Sequence, residues 1–290
     1  MQSNSGEVYT IYPTYGNDRS FNLVSINSTG NLKTDPPDLP VERYYDGAIQ
    51  LNSLGQIVYG GLYANASGYS GGWFTSAIDP SSAKLISAKS TPFTQAFIDK
   101  IREDKQTTGK GEQTGLANEF LIRSVSYTPN GSVYFVTEFQ NVKDMSSQIW
   151  SEYGDLIVFG YRPGGVFEPA RIPKLQHSSS GNSFSSFYGL PIGNKLFFFY
   201  IDCSENLASP DKLEHFAFKM TKEDNLLLVM ATIDENNKLT RKSINSLGDL
   251  EFGPRPRHFE KISGNQISMF GSMFKTMGFP DESIGVLTLH

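Results

Sequence analysis

One cysteine, Cys203, stands in 290 residues. That excludes an intrachain disulfide framework and any cysteine-based metal cluster. Charged side chains make up only 19%, too few for a coiled coil or a long-helix protein. Aromatics at 13% exclude a disordered chain. Lysine and arginine total 25 against 30 acidic residues, a formal net charge of −5, and they form no basic run. Nucleic acid is therefore not an expected partner. No apolar stretch approaches the roughly 18 residues that a spanning helix needs, so no membrane span is expected. No glycine-rich loop follows a strand and opens a helix, and no cofactor is expected. His177, His215, His258 and His290 show no ligand spacing, and Asp234-Glu235-Asn236-Asn237 lacks the alternating ligands of a calcium loop. No metal is expected. Cys203 follows an apolar strand with no base in sight, which marks a structural thiol.

What the chain does have is repetition. A hairpin pattern of apolar run, tight turn and short strand recurs at 21–33, 73–89, 155–172 and 226–244, with a half copy at 283–290. A second hairpin precedes each copy after the first, at 44–64, 120–139, 185–202 and 257–274. Ser53-Leu54-Gly55, Asn130-Gly131, Pro163-Gly164-Gly165, Gly193-Asn194 and Gly264-Asn265 supply the turns. Two hairpins make a four-stranded antiparallel unit. Runs such as Leu226–Met230 and Leu196–Tyr200 are apolar on both faces and so are covered on both.

The fold class that follows is all-β: a single β-propeller domain over 1–290, of about five four-stranded blades. A β-sandwich with long insertions is the competing architecture. The units fall near 8–33 (partial), 44–89, 120–172, 185–244 and 257–290 (partial). The first lacks an innermost strand and the last an outermost one. The opening MQSNSGEVYT has neither the basic nor the apolar region of a secretory leader. Together these features read as the C-terminal part of a larger propeller, or as a complete but irregular ring. One helix is expected over 92–104. Thr91 caps it, Pro92 opens it, and Phe93, Phe97 and Ile101 form an apolar stripe.

Turns within hairpins are short, whereas links between hairpins and between units are long. In an up-and-down blade all long links emerge at one end. Ordered loops on a rigid scaffold are where binding concentrates. That end carries Tyr69, Trp73, Trp150, Tyr153, Arg255 and Arg257, the expected ligand-binding residues, with His177, His215, Phe216, His258 and Phe279 nearby. Flat rings beside polar groups suit a glycan, a peptide or a protein partner. The same rings would equally pin loops to the sheets. A catalytic alternative uses Asp46, Glu119 and Glu260, inner-strand carboxylates that would act as acid and base in a propeller-type glycan hydrolase. Against it, Asp46 precedes Gly47 and shapes a turn, Glu119 follows Asn118, and Glu260 has Arg257 and Lys261 as neighbours for an ion pair.

Several segments also resemble a family. They are Gly115-Leu116-Ala117-Asn118, Glu138-Phe139-Gln140, Asp155-Leu156-Ile157-Val158, Ile172-Pro173-Lys174-Leu175-Gln176 and the stretch 255–271. Over about residues 45–290 their order is similar to that of a group of β-propeller-like proteins of Bacteroidota-type bacteria with no assigned activity. The resemblance implies an extracytoplasmic location and carries over no functional residue. Phe139 interrupts the Glu-Gln pair of that group. Two classes of function stand: a non-catalytic binding or scaffold module presenting the long-loop end, and the hydrolase. Convergent carboxylates in a deep pocket would favour the second.

Overall fold

The computed structural model describes residues 8–13, 21–26, 32–35, 44–65, 68–82, 84–103, 116, 119–145, 148–165, 167–178, 185–209, 225–250, 253–272 and 282–289. The chain divides into two compact units. Unit one is Met1–Thr137 with Val158–Pro169, and unit two is Glu138–Ile157 with Ala170–His290.

Five antiparallel sheets follow one another along the sequence. The first joins β1 (Val8–Pro13), β2 (Phe21–Ile26) and β3 (Leu32–Asp35) in that order. The second runs β4 (Tyr44–Leu51), β5 (Ile57–Ala64), β6 (Ser70–Asp79), β7 (Lys84–Pro92). The third orders β8 (Phe120–Tyr127), β9 (Val133–Met145), β10 (Gln148–Tyr161) and β11 (Ala170–Ile172), with β12 (Gln176–Ser178) also on β10. The fourth runs β13 (Phe187–Ile192), β14 (Lys195–Cys203), β15 (Leu226–Ile233), β16 (Leu239–Ser246). In the last, β19 (Gln266–Ser272) pairs with β17 (Gly253–Pro254), β18 (Glu260–Ser263) and β20 (Glu282–Thr288). The fold is all-β, and its repeated meander is the blade unit of β-propellers.

The turns fall where glycine and asparagine placed them. Gly131 holds φ +85°, a region that side chains disfavour, and a Cβ there would stand 2.6 Å from Leu54 Cδ1. Its carbonyl accepts a hydrogen bond from Asn52 Nδ2 at 2.9 Å, and Ser53 Oγ bonds the Pro129 carbonyl at 2.9 Å. In unit one, two neighbouring hairpin tips are tied together by these bonds.

The helix, α1, covers Gln95–Glu103 rather than 92–104. Thr91 and Pro92 belong to β7, where Thr91 pairs with Trp73 and Pro92 with Gly72. The cap is Thr94, whose Oγ1 accepts from the Phe97 N–H at 3.2 Å. Ile98 and Ile101 are buried, while Phe97 is half-buried and stacks on Phe93 at 5.3 Å. A second short helix, α2 (Ser204–Ala208), follows β14.

Of the core residues that the alternation picks out, Ile57, Tyr59, Ile78, Val133, Phe135, Ile157, Phe159, Leu196, Phe198, Leu228, Ile267 and Met269 are buried. Ile49, Ile122 and Leu287 are half-buried because they sit on the edge strands β4, β8 and β20. Met230 on β15 is half-buried as well. The side chains of Phe21, Leu23 and Ile26 lie outside the described residues.

Candidate functional site

Glu138 stands near the middle of β9, Asp155 near the middle of β10, and Asp202 next to the end of β14. All three carboxylates are in unit two and fully buried. Buried carboxylates are tolerated only when paired and hydrogen-bonded, and here each has a cation. Glu138 Oε1 accepts from Lys174 Nζ at 2.8 Å. Asp155 Oδ2 accepts from Arg171 Nε at 2.6 Å. Asp202 Oδ2 faces Arg241 Nη2 at 3.6 Å.

The link between β11 and β12 delivers the central cation. The Lys174 N–H donates to Asp155 Oδ1 at 3.1 Å, which fixes the backbone and points the ammonium at Glu138. Gln176 completes the shell. Its Oε1 accepts from Lys174 Nζ at 3.1 Å and from the Ser186 N–H at 2.7 Å, and its Nε2 donates to the Ile201 carbonyl at 2.6 Å. Ser186 Oγ donates to the second Glu138 oxygen at 2.6 Å. Ser186 holds φ +72°, a strained value for a side-chain-bearing residue. In that conformation its N–H meets Gln176 while its hydroxyl meets Glu138.

Burial lowers the Lys174 ammonium pKa, and the Glu138 carboxylate opposes that shift. Burial pushes Asp202 up to about 7, against a hydrogen bond from Asn206 and the charge of Arg241. The Tyr200 phenol is raised by burial, and Arg241 Nε donates to it at 3.0 Å. Burial also pushes the Cys203 thiol up to about 12, so it carries negligible thiolate at neutral pH. Inside unit two each of the three carboxyl groups thus faces a cationic side chain.

Beside this network, among the described residues, two of the expected ligand residues come together. The Tyr153 ring is fully buried, with Lys174 Nζ 5.8 Å and Arg257 Cζ 4.9 Å from its centroid. Its hydroxyl accepts from Gln140 Nε2 at 3.1 Å. Arg257, in the 3-10 turn Pro256–His258, is exposed. Glu152 and His177 face each other across β10 and β12, with 3.4 Å between Oε2 and Nε2.

The other expected residues fall elsewhere. Arg255 is half-buried beside Arg257, and its N–H donates to the Phe270 carbonyl. Trp150 is on β10, with its side chain outside the described residues. His215, Phe216, Phe279 and His290 also lie outside them. Tyr69 and Trp73 are in unit one. Tyr69 is half-buried, whereas Trp73 is 1% exposed and stacks on Phe159 at 5.8 Å. Trp73 and Tyr153 are thus core rings, because their strands are covered on both faces, and they offer a ligand little surface of their own. Of the alternative carboxylates, Asp46 is a backbone acceptor. Its Oδ1 takes the Gly47 N–H at 2.9 Å and its Oδ2 the Ile122 N–H at 2.7 Å. Glu119 and Glu260 are exposed.

Sequence reasoning passed over Lys174, Gln176 and Ser186 as site residues. The signal was present in the segments themselves. Strand pleating sets Glu138 and Gln140 on one face with Phe139 on the other, so Phe139 does not interrupt that pair but separates it by the strand period. Among the described residues, no three His, Cys, Asp or Glu side chains group as a metal would require. Among them, too, no helix is long and apolar enough to cross a membrane.

No family model matches the chain. No curated protein matches it either. Among solved structures it is similar to the β-propeller domain of the Trilobed protease from Pyrococcus furiosus, at 9% identity and TM-score 0.45, covering 99% of this chain and 66% of that one. It is similar to an acylaminoacyl peptidase of Pyrococcus horikoshii, at 10% identity and TM-score 0.44, over 99% of this chain and 37% of that one. A polysaccharide lyase, Uly1, matches at 11% identity and TM-score 0.42, over 100% and 57%. The chain therefore spans two thirds or less of these proteins. The likeness concerns the fold alone.

Proposed function

We propose that this protein is a non-catalytic binding module that works outside the cytoplasm and presents the loop-bearing ends of its sheets to a glycan, peptide or protein partner. In unit two the contact centres on Arg257. One observation carries this reading: an exposed guanidinium rests on a buried tyrosine ring that a hydrogen-bonded network holds in place. Arginine on a rigid aromatic base is the kind of anchor in which binding energy concentrates. Gln140 adds a hydrogen-bonding group at the same ring.

The carboxylates also support binding over hydrolysis. Glu138, Asp155 and Asp202 are spent on internal cations, and Asp46 on backbone donors. A glycosidase needs an acid and a base that both meet substrate. The test is a glycan and peptide array followed by Arg257→Ala. Arg257 is exposed, so the variant keeps its melting temperature while affinity for the captured partner falls about tenfold or more, a hot-spot loss. Unchanged affinity overturns the anchor. Turnover of a glycan by the wild type, abolished by Glu260→Gln, overturns the non-catalytic reading.

A further inference from the structure

After Tyr161, residues 162–165 and 167–169 run as turn and coil rather than strand. A cleft of about 360 Å³ lies in unit one, between this connection and β7. Its size is within the range of small-molecule sites, roughly 300–1,000 Å³. One wall is shaped by a bulge. Ala77 pairs with Ser87 and Ile78 with Leu85, which leaves Ile86 outside the ladder and 48% exposed. Bulges re-aim side chains in this way.

The chemistry of the lining is one-sided. Among the described residues it includes Lys89 and Arg162 and no carboxylate. Arg162 is held by its surroundings. Its guanidinium carbon lies 5.9 Å from the Phe167 ring centroid, and its stem lies against Gly165, where a Cβ would meet Arg162 Cδ at 3.0 Å. Of the lining residues, Trp73 and Phe167 meet edge-on at 6.3 Å and are buried, while Thr75 and the exposed Ser87 contribute hydroxyls.

We propose that this cleft binds a hydroxylated carboxylate of monosaccharide size, that is, a uronic acid residue. Its carboxylate pairs with Arg162 and Lys89, its hydroxyls bond to Ser87, and its apolar C–H face lies against the exposed Ile86. This site is independent of the Arg257 patch, which belongs to the other unit.

The probes are D-glucuronate, D-glucose and propionate, titrated into the full chain by calorimetry or saturation-transfer NMR. Glucuronate binds, and glucose and propionate each bind at least about tenfold more weakly, because each lacks one half of the recognition. Arg162→Met weakens glucuronate about tenfold or more. Ser87→Tyr, on an exposed strand position facing the cleft, blocks it with the melting temperature unchanged. The blocking variant keeps the test intact if Arg162→Met proves unstable. Absence of glucuronate binding, equal binding of glucose or propionate, or wild-type affinity in either folded variant overturns the proposal.

Discussion

At the scale of single residues, the cost of the buried network decides what each member does. Lys174 and Glu138 are both fully buried and 2.8 Å apart. Removing one partner strands a charge away from water, which typically costs about 3–5 kcal/mol, whereas replacing both by apolar groups is far milder. Lys174→Met is therefore expected to lower the unfolding free energy by about that much, and Glu138→Leu with Lys174→Met by clearly less. Urea melts of the two variants check this, and a loss in the double variant as large as or larger than that of Lys174→Met would contradict it. Asp202 adds a pH signature. Its folded pKa of about 7 stands above the ordinary aspartate value of 3.8. The folded state thus holds a proton that the unfolded state gives up, and stability falls as pH rises from about 4 through about 7, then levels. Asp202→Asn cannot ionise, so its stability relative to wild type should improve over that same window, by up to roughly 4 kcal/mol. A difference that stays constant from pH 4 to 8 would contradict the assignment.

At the scale of elements, the helix shows how local signals compete. Thr91-Pro92 reads as a cap and first turn, yet β7 runs through both, since proline is acceptable on an edge strand. Thr94 supplies the cap in its place, so Thr94→Ala should cost about 1 kcal/mol in a thermal melt, and Thr94→Asp little. The hairpins were legible because period-two alternation and Asn-Gly or Gly-Asn turns agree with each other. Sheets two, three and four lie close to the stretches that this reading marks. The short α2 and β12 were not legible, for elements of five and three residues carry no periodicity. The site was legible only in part. Arg257 and Tyr153 stand together as an arginine–aromatic pair, but Trp73 and Tyr153 are interior. Composition marks an aromatic, and only the two-sided burial of its strand says that the ring is inside. Lys174 was hidden for the opposite reason. A lysine in a link reads as solvated until tertiary structure supplies Glu138 and Gln176.

At the scale of the whole molecule, repetition of one sheet type does not name a task, because the task is set by side chains grafted onto the sheets. Here the acidic chain, at −5 overall, sets an exposed Arg257 on one unit and lines a cleft of the other with Lys89 and the half-buried Arg162. What permits the stacking of successive sheets in unit one is a missing side chain. Gly60 on β5 lies flat against Phe135 on β9, where an added Cβ would stand 2.5 Å from Phe135 Cε2. Phe135 in turn stacks on Phe159 at 5.5 Å, and Phe159 on Trp73 at 5.8 Å, so the ring has no room to retreat. Overpacking of this kind typically costs about 1–3 kcal/mol. Gly60→Ala should therefore destabilise by that amount. Alanine is otherwise an ordinary strand residue, so the loss isolates the steric clash. Shortening the opposing ring by Phe135→Leu costs packing on its own, but in the double variant the clash is relieved. The two losses should then sum to more than the double variant shows. Additive losses in guanidinium melts would mean that Gly60 is required by its own backbone, and that the ring does not press on it.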